Sequence, residues 1–413
     1  MVNNSKRLYE VLFPNSPLVK MNNHEMNSAA SNNLRPSAQE RWDNIKNWLG
    51  TNLQGDVIIW IIVAILSLTS LLIVYSATGT LAYQRGGGYP EVFLFKHIFY
   101  TSIGLFVMWW VHRINYIYFS RLSRAALLIS IPLLILVKVA GVTINGATRW
   151  IAIPGTGFTF QPADFARLAL IANLAAMLAK RQRVEYSWKI FGKMILWVGI
   201  ICFFIALTST STAVLIGLSC FLMFYIGRVP SKYLVVMIVA IAITGGLGLV
   251  AGQRLETAKG RIDRFFKDEE FQAKQGFIAI ANGGTLGQGL GNSHQRNYLT
   301  QAYSDFIYAI IVEEYGLIGG VFIMLLYAIL LVRGVQNIGS TNRAFGGLLS
   351  AGLTLSIGLQ AFTNMAVAVG IFPVTGQPLP LLSMGGTSVF FTCVSLGIIL
   401  SVSRGEADES ALF

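Results

Sequence analysis

Asp305 heads a long apolar run, and Glu313 and Glu314 lie inside it. An ionisable group in hydrocarbon is costly, so each one calls for a functional hypothesis. At 1.5 Å and 100° per residue, Glu313 lies about 12 Å deeper than Asp305 and about 80° around the helix. Two readings stand for Asp305: a helix N-terminal charge favoured by the macrodipole, or a general base. The two glutamates read either as salt-bridge partners within a bundle or as the ion-handling groups of a carrier. Upstream, Arg149, Gln161, Asp164 and Arg167 flank Pro162, which suits the first turn of a helix. Asp164 and Arg167 at i, i+3 can pair on one face. Alternatively, Arg149 and Arg167 form a cluster that holds a phosphate through charge-assisted hydrogen bonds.

Two further segments could shape a site. Residues 282–291 carry Gly283, Gly284, Gly287, Gly289 and Gly291, a run similar to a phosphate-cradling loop. It lacks the preceding strand and the Gly-Lys-Ser/Thr that define a nucleotide site, and a plain flexible loop is the competing reading. Residues 370–388 combine prolines and glycines with Thr375, Pro380, Ser383, Gly385 and Gly386. Non-helical backbone at membrane depth is tolerated where it lines a cavity or is buried in protein. A binding site near the outer leaflet and a tight connector are both compatible with it.

The elements that must position these residues are membrane helices. In 413 residues, 54% are hydrophobic and only 12% charged, too few charges to cover a soluble surface. Ten apolar stretches reach the roughly 20 residues needed to span hydrocarbon: 56–76, 95–111, 122–141, 163–180, 192–208, 210–227, 232–252, 305–332, 345–369 and 385–403. The spacing thus predicts an all-α, ten-helix membrane domain over 56–403, in which 253–304 is one large extracytoplasmic loop. Within that loop 275–281 is apolar enough to dip into the interface. The short connectors on the side of the N-terminus hold twelve Lys and Arg, against three on the other, which places both termini in the cytoplasm. Residues 1–55 read as a disordered tail followed by an amphipathic helix. Ser37 and Glu40 form its capping box, and Trp42, Ile45, Trp48 and Leu49 share a face; a plain extension of the first span is the competing reading. Residues 404–413 form the cytoplasmic C-terminal tail. No cleavable leader is visible, so the first span directs insertion.

The net charge of +12 follows the connectors and gives no reason to expect nucleic acid. Cys202, Cys220 and Cys393 lie in apolar runs without metal-ligand spacing, and the four histidines are scattered.

In order along the chain, Asn145-Gly146-Ala147 with Arg149-Trp150-Ile151, Gln161-Pro162, the glycine run, Asp305-Phe306-Ile307 with Glu313-Glu314-Tyr315-Gly316, and Pro373 to Ser388 resemble the SEDS family. This is the shape, elongation, division and sporulation family of FtsW/RodA-like membrane proteins. The resemblance covers nearly everything after residue 55, and the tail before the first span is more similar to the division member. It implies a peptidoglycan glycosyltransferase that polymerises lipid II at the outer face of the bacterial inner membrane, at the septum. It also implies a class B penicillin-binding transpeptidase and other divisome proteins as partners. The family's essential aspartate matches Asp305. Under that reading Asp305 is the base, Arg149 and Arg167 hold pyrophosphate with a divalent cation (Mg or Mn) as a conceivable helper, and the glycine run and the 373–388 loop shape the cavity. The chain departs from the family pattern at three places. Leu299-Thr300-Gln301 and Tyr303-Ser304 replace Leu-Pro-Glu and His-Thr. Asp164 and Arg167 replace Glu and Lys. Ser209-Thr210-Ser211-Thr212 replaces a segment that carries an aspartate. The rival class is a lipid II flippase or an ion-coupled transporter working through Glu313 and Glu314; a non-catalytic division scaffold is the third.

Overall fold

The computed structural model describes residues 38–79, 89–144, 147–153, 155, 159–182, 187–252, 255–267, 271–299, 302–341 and 343–410. Asn145, Gly146, Thr300, Gln301, the tail before Ala38 and the side chains of Trp42, Ile45, Trp48 and Leu49 lie outside the described residues. The chain divides into two units, 1–54 and 55–413. In the first, α1 (Ala38–Asn52) is a 15-residue helix with Glu40 in its first turn.

The second unit is the helical bundle. Its helices α2 (Val57–Ala77), α3 (Pro90–Val111), α4 (Ile117–Ala140), α5 (Pro162–Ala179), α6 (Trp188–Ala206), α8 (Ser231–Ala251), α11 (Ile307–Ser340), α12 (Ala344–Ala368) and α13 (Gly386–Ser410) contain stretches long and apolar enough to cross a membrane. The tenth expected span is α7 (Thr210–Ile226), an apolar helix of 17 residues, about 26 Å long. It is shorter because its first turn is the hydroxyl-rich Thr210-Ser211-Thr212, which faces polar partners described below.

Small residues decide which helices occupy the centre. The Ala-rich α5 and the Gly-, Ala- and Ser-rich α12 are each 78% buried, whereas the β-branched α8 is 11% buried and sits at the periphery. Without a hydrophobic force between helices in lipid, close approach of backbones is what binds them, and small side chains permit it. At the other face Asp56 caps α2 through the Ile58 amide at 2.8 Å and pairs with Arg333 at 3.3 Å.

Two features go beyond an all-helical reading. The connector between α4 and α5 folds into a three-stranded antiparallel sheet, β1 (Val142–Ile144), β2 (Ala147–Ala152) and β3 (Thr159–Phe160). Thr143 pairs with Thr148 and Ile151 with Phe160. The β-branched Val142, Thr143, Ile144, Thr148, Ile151 and Thr159 favour this pairing. The 253–304 segment is also largely structured: α9 (Leu255–Phe266) and α10 (Phe271–Gly283) precede a 3₁₀ turn at Gln295–Asn297. The apolar 275–281 stretch lies within α10. Its Gly276 faces the Phe306 ring, and Ala279 is fully buried.

Candidate active site

The stretch 374–378 runs between α12 and α13 without regular secondary structure. A buried carbonyl must find a donor, and for 374–378 the donors are side chains from four different elements. Arg261 of α9 donates to the Val374 carbonyl at 3.3 Å, and Ser211 of α7 to that of Thr375 at 2.8 Å. Arg149 of β2 reaches the Gly376 carbonyl at 3.3 Å. From α12, Asn364 donates to Gln377 at 2.8 Å and Gln360 to Pro378 at 2.9 Å. Tyr327 of α11 donates to the Pro380 carbonyl. Further on, the Ser383 hydroxyl donates to the Ser304 carbonyl and accepts from the Leu379 amide, both at 2.7 Å.

These bonds fix the turn that carries Asp305. Its carbonyl accepts from Asn364 at 2.9 Å, and its carboxylate accepts from the Ser304 hydroxyl at 2.9 Å. Gly376 has a φ of +67°, and a Cβ there would stand 3.5 Å from the Asp305 carboxylate and 3.7 Å from the Arg149 guanidinium. The missing side chain leaves room at the point where anion and cation converge. Burial pushes the Asp305 carboxyl above its ordinary value, partly countered by the Ser304 hydroxyl and by Arg149 and Arg261. A carboxyl held above its ordinary pKa is a stronger base than a free one.

Arg149 and Arg261 also line a cavity of about 400 Å³. Its remaining wall combines the hydroxyls of Thr210, Ser211, Thr257 and Thr375 with the apolar Val214, Leu215, Leu218 and Phe372. Two guanidiniums and an aliphatic helix face lining one cavity suit an amphipathic anion with a hydrocarbon tail.

Of the residues singled out in the sequence, Asp305, Arg149 and Thr375 come together here. Arg167 does not join Arg149 at the cavity wall. It pairs with Asp164 at 3.5 Å and donates to the Gln360 side chain, which in turn holds Pro378. Gln161 stands at the N-cap of α5, with Pro162 in the first turn as expected. Pro380 and Ser383 are bound into the loop as described, Gly385 accepts from the Val389 amide at 3.0 Å, and Gly386 meets the ring of Tyr100.

The glycine run occupies a second region. α11 is interrupted at Gly316 (φ +71°, ψ −176°), and the run docks into the break. The amides of Gln288 and Gly289 donate to the carbonyls of Glu313 and Glu314 at 2.9 and 3.0 Å. In return, Leu317 and Ile318 donate to Gly284 and Thr285 at 2.9 and 3.3 Å. A Cβ at Gly287 would collide with the Glu314 carbonyl, and one at Gly316 with that of Thr285. The Gly287 amide donates to the Gly283 carbonyl, so the amides of 287–289 are all spent on backbone partners. The fully buried Glu313 accepts the Ser293 hydroxyl and the amides of His294 and Gln295, at 3.2 and 3.3 Å. Glu314 accepts from Ser76 of α2, whose carbonyl also binds Arg296 at 3.1 Å.

Sequence reasoning missed Arg261, Ser211, Asn364 and Gln360. Arg261 could have been found from the amphipathic pattern of 255–266, which puts it one turn after Thr257 on one face.

The family model for the FtsW/RodA/SpoVE cell cycle proteins matches residues 56–408. A probable peptidoglycan glycosyltransferase FtsW of Coxiella burnetii is 32% identical over 359 residues, spanning 83% of this chain and 95% of that protein. Stage V sporulation protein E of Bacillus subtilis is 31% identical, spanning 84% and 97%. Among solved structures, a chain of a peptidoglycan synthase complex that coordinates polymerization and crosslinking superposes with a TM-score of 0.66 at 24% identity, over 85% of this chain and 98% of that one. The rod shape determining protein RodA of Thermus thermophilus gives 0.63 at 24% identity, over 87% and 99%.

Proposed function

The chain belongs to the FtsW/RodA/SpoVE family, and from that premise we propose that it is a peptidoglycan glycosyltransferase that polymerises lipid II during cell division. The observation that carries this reading is the convergence of Asp305 and Arg149 on Gly376, with Arg261 nearby, beside a cavity with an aliphatic wall. In the reaction the 4-hydroxyl oxygen of the acceptor sugar bonds to the donor's anomeric carbon. The bond from that carbon to the phosphate oxygen breaks, and the polyprenyl pyrophosphate departs with the electron pair. Asp305 takes the hydroxyl proton, and Arg149 and Arg261 neutralise the departing charge. The aliphatic face of α7 receives the tail, which never leaves the bilayer. Arg167 acts at one remove, through Gln360, on the loop that presents Arg149 with its acceptor.

A divalent cation, Mg or Mn, would arrive on the pyrophosphate. With Asp305 engaged as the base, the substrate phosphates would supply its ligands, as they commonly do for Mg²⁺. When bound, it would add charge neutralisation. Among the described residues no three His, Cys, Asp or Glu cluster.

In this reading the protein sits in the bacterial cytoplasmic membrane with ten spans, both termini inside and the Asp305 site facing out; the connector charges support this orientation. A class B penicillin-binding transpeptidase and other divisome proteins are the expected partners, and the septum the expected place. Proteins named FtsW support the division role, and the synthase complex supports pairing of polymerisation with crosslinking.

Proteoliposomes holding the purified chain and lipid II test the reading. Glycan polymer with release of polyprenyl pyrophosphate supports it. Transbilayer movement of labelled lipid II without polymer replaces it with a carrier.

A further inference from the structure

The segment that receives both guanidiniums is itself fastened by the first turn of α7. Ser211 Oγ donates to the Thr375 carbonyl at 2.8 Å. Gln377 Nε2 donates to Thr212 Oγ1 at 2.7 Å, and Ser209 shares that hydroxyl at 2.7 Å. Ser209, Thr212 and Gln377 are all buried, so water does not compete. The two fastenings bracket Gly376, the acceptor for Arg149, and adjoin Val374, the acceptor for Arg261. Any shift of 374–377 therefore moves both acceptors together.

We propose that Ser211 and Thr212 are positioning residues for the pyrophosphate site, a hydroxyl latch that sets where Arg149 and Arg261 stand. The chemistry of the position agrees. A hydroxyl can donate to the Thr375 carbonyl, whereas an ionised carboxylate only accepts. Hydroxyls also add no second negative charge beside Asp305, so the guanidiniums keep their charge for the substrate. The inference rests on the reading that this site takes a polyprenyl pyrophosphate.

The test uses the full purified chain with farnesyl pyrophosphate as probe, binding being measured by calorimetry, and lipid II polymerisation followed in parallel. Ser211→Ala/Thr212→Val is expected to weaken binding about 10-fold, the worth of a buried hydrogen bond or two. Ser211→Thr/Thr212→Ser, which keeps both hydroxyls, is expected to bind as the wild type does. Gln377→Met removes the loop's half of one fastening without touching α7, and serves if the double variant does not fold. In an Arg149→Ala/Arg261→Ala background, loss of the hydroxyls is expected to cause no further weakening, since they act through the arginines. Unchanged binding in the latch variants, an equal further loss without the arginines, or no binding by the wild type overturns the inference. Binding with the expected dependence but no polymer from the wild type supports the latch and overturns the polymerase reading instead.

Discussion

The Asp305 mouth and the break in α11 solve the same problem in opposite ways. Both hold non-helical backbone inside a helical bundle, where unpaired carbonyls and amides are costly. At the mouth, consecutive carbonyls from 374 to 378 are taken by side chains from β2, α7, α9 and α12. At the break, the backbone of 284–289 pairs with the backbone of 313–318, and glycines permit the contact. The difference teaches where each region tolerates change. A side-chain ladder can lose one rung and shift slightly, and its rungs can bring charge to the site. A backbone clamp brings no chemistry, but a single added carbon breaks it.

Four measurements would break or sharpen that contrast. The largest effect is expected at the mouth: Asp305→Asn should lower lipid II polymerisation by about 10²–10⁴-fold with an unchanged melting temperature, as removal of a general base does. Retained turnover would remove the chemical role from the mouth. At the break, Gly287→Ala or Gly316→Ala should cost about 3 kcal/mol or more through a forced positive φ and a backbone collision. That loss is read as a lower melting temperature, and a well-folded alanine variant would contradict the clamp. Glu313→Gln should cost about 1–3 kcal/mol, because an amide in place of one acceptor oxygen leaves the Ser293 hydroxyl or the 294–295 amides without their partner, and should speed hydrogen exchange in 288–299 before elsewhere. Uniform exchange would deny Glu313 its anchoring role. The smallest effect is a pH shift. Asp305 works deprotonated, so turnover should fall as pH drops through its raised pKa. Arg261→Gln removes a positive charge that lowers that pKa, so the acid limb should move to higher pH. An acid limb that does not move would place Arg261 away from the carboxylate.

The helices were legible because each announces itself within about 20 neighbouring residues. Asp305 was legible too, as a carboxylate at the head of an apolar run. The ladder was not, since its rungs join residues 164 and 227 positions apart, Ser211 with Thr375 and Arg149 with Gly376. For Arg167 the local reading held, since it pairs with Asp164 three positions away, but the alternative of a cluster with Arg149 did not, and its second partner Gln360, 193 positions away, was hidden by the same distance. The glycine run showed that close approach was needed without showing to what, because backbone carries no residue-specific signal. The sheet around Arg149 escaped because its strands run from two to six residues, too short for a period to emerge.

The 374–378 segment has one more consequence. Extended chains commonly invite a second chain to zip alongside, and many peptide-binding proteins recruit their ligands in that way. Here Pro373 and Pro378 have no amide to offer, and the carbonyls from 374 to 378 are already occupied. With two amides missing, one lone pair of each carbonyl taken and a turn at Gly376, the rim offers a poor edge for an added strand, and a substrate's peptide branch is better accommodated elsewhere in the mouth.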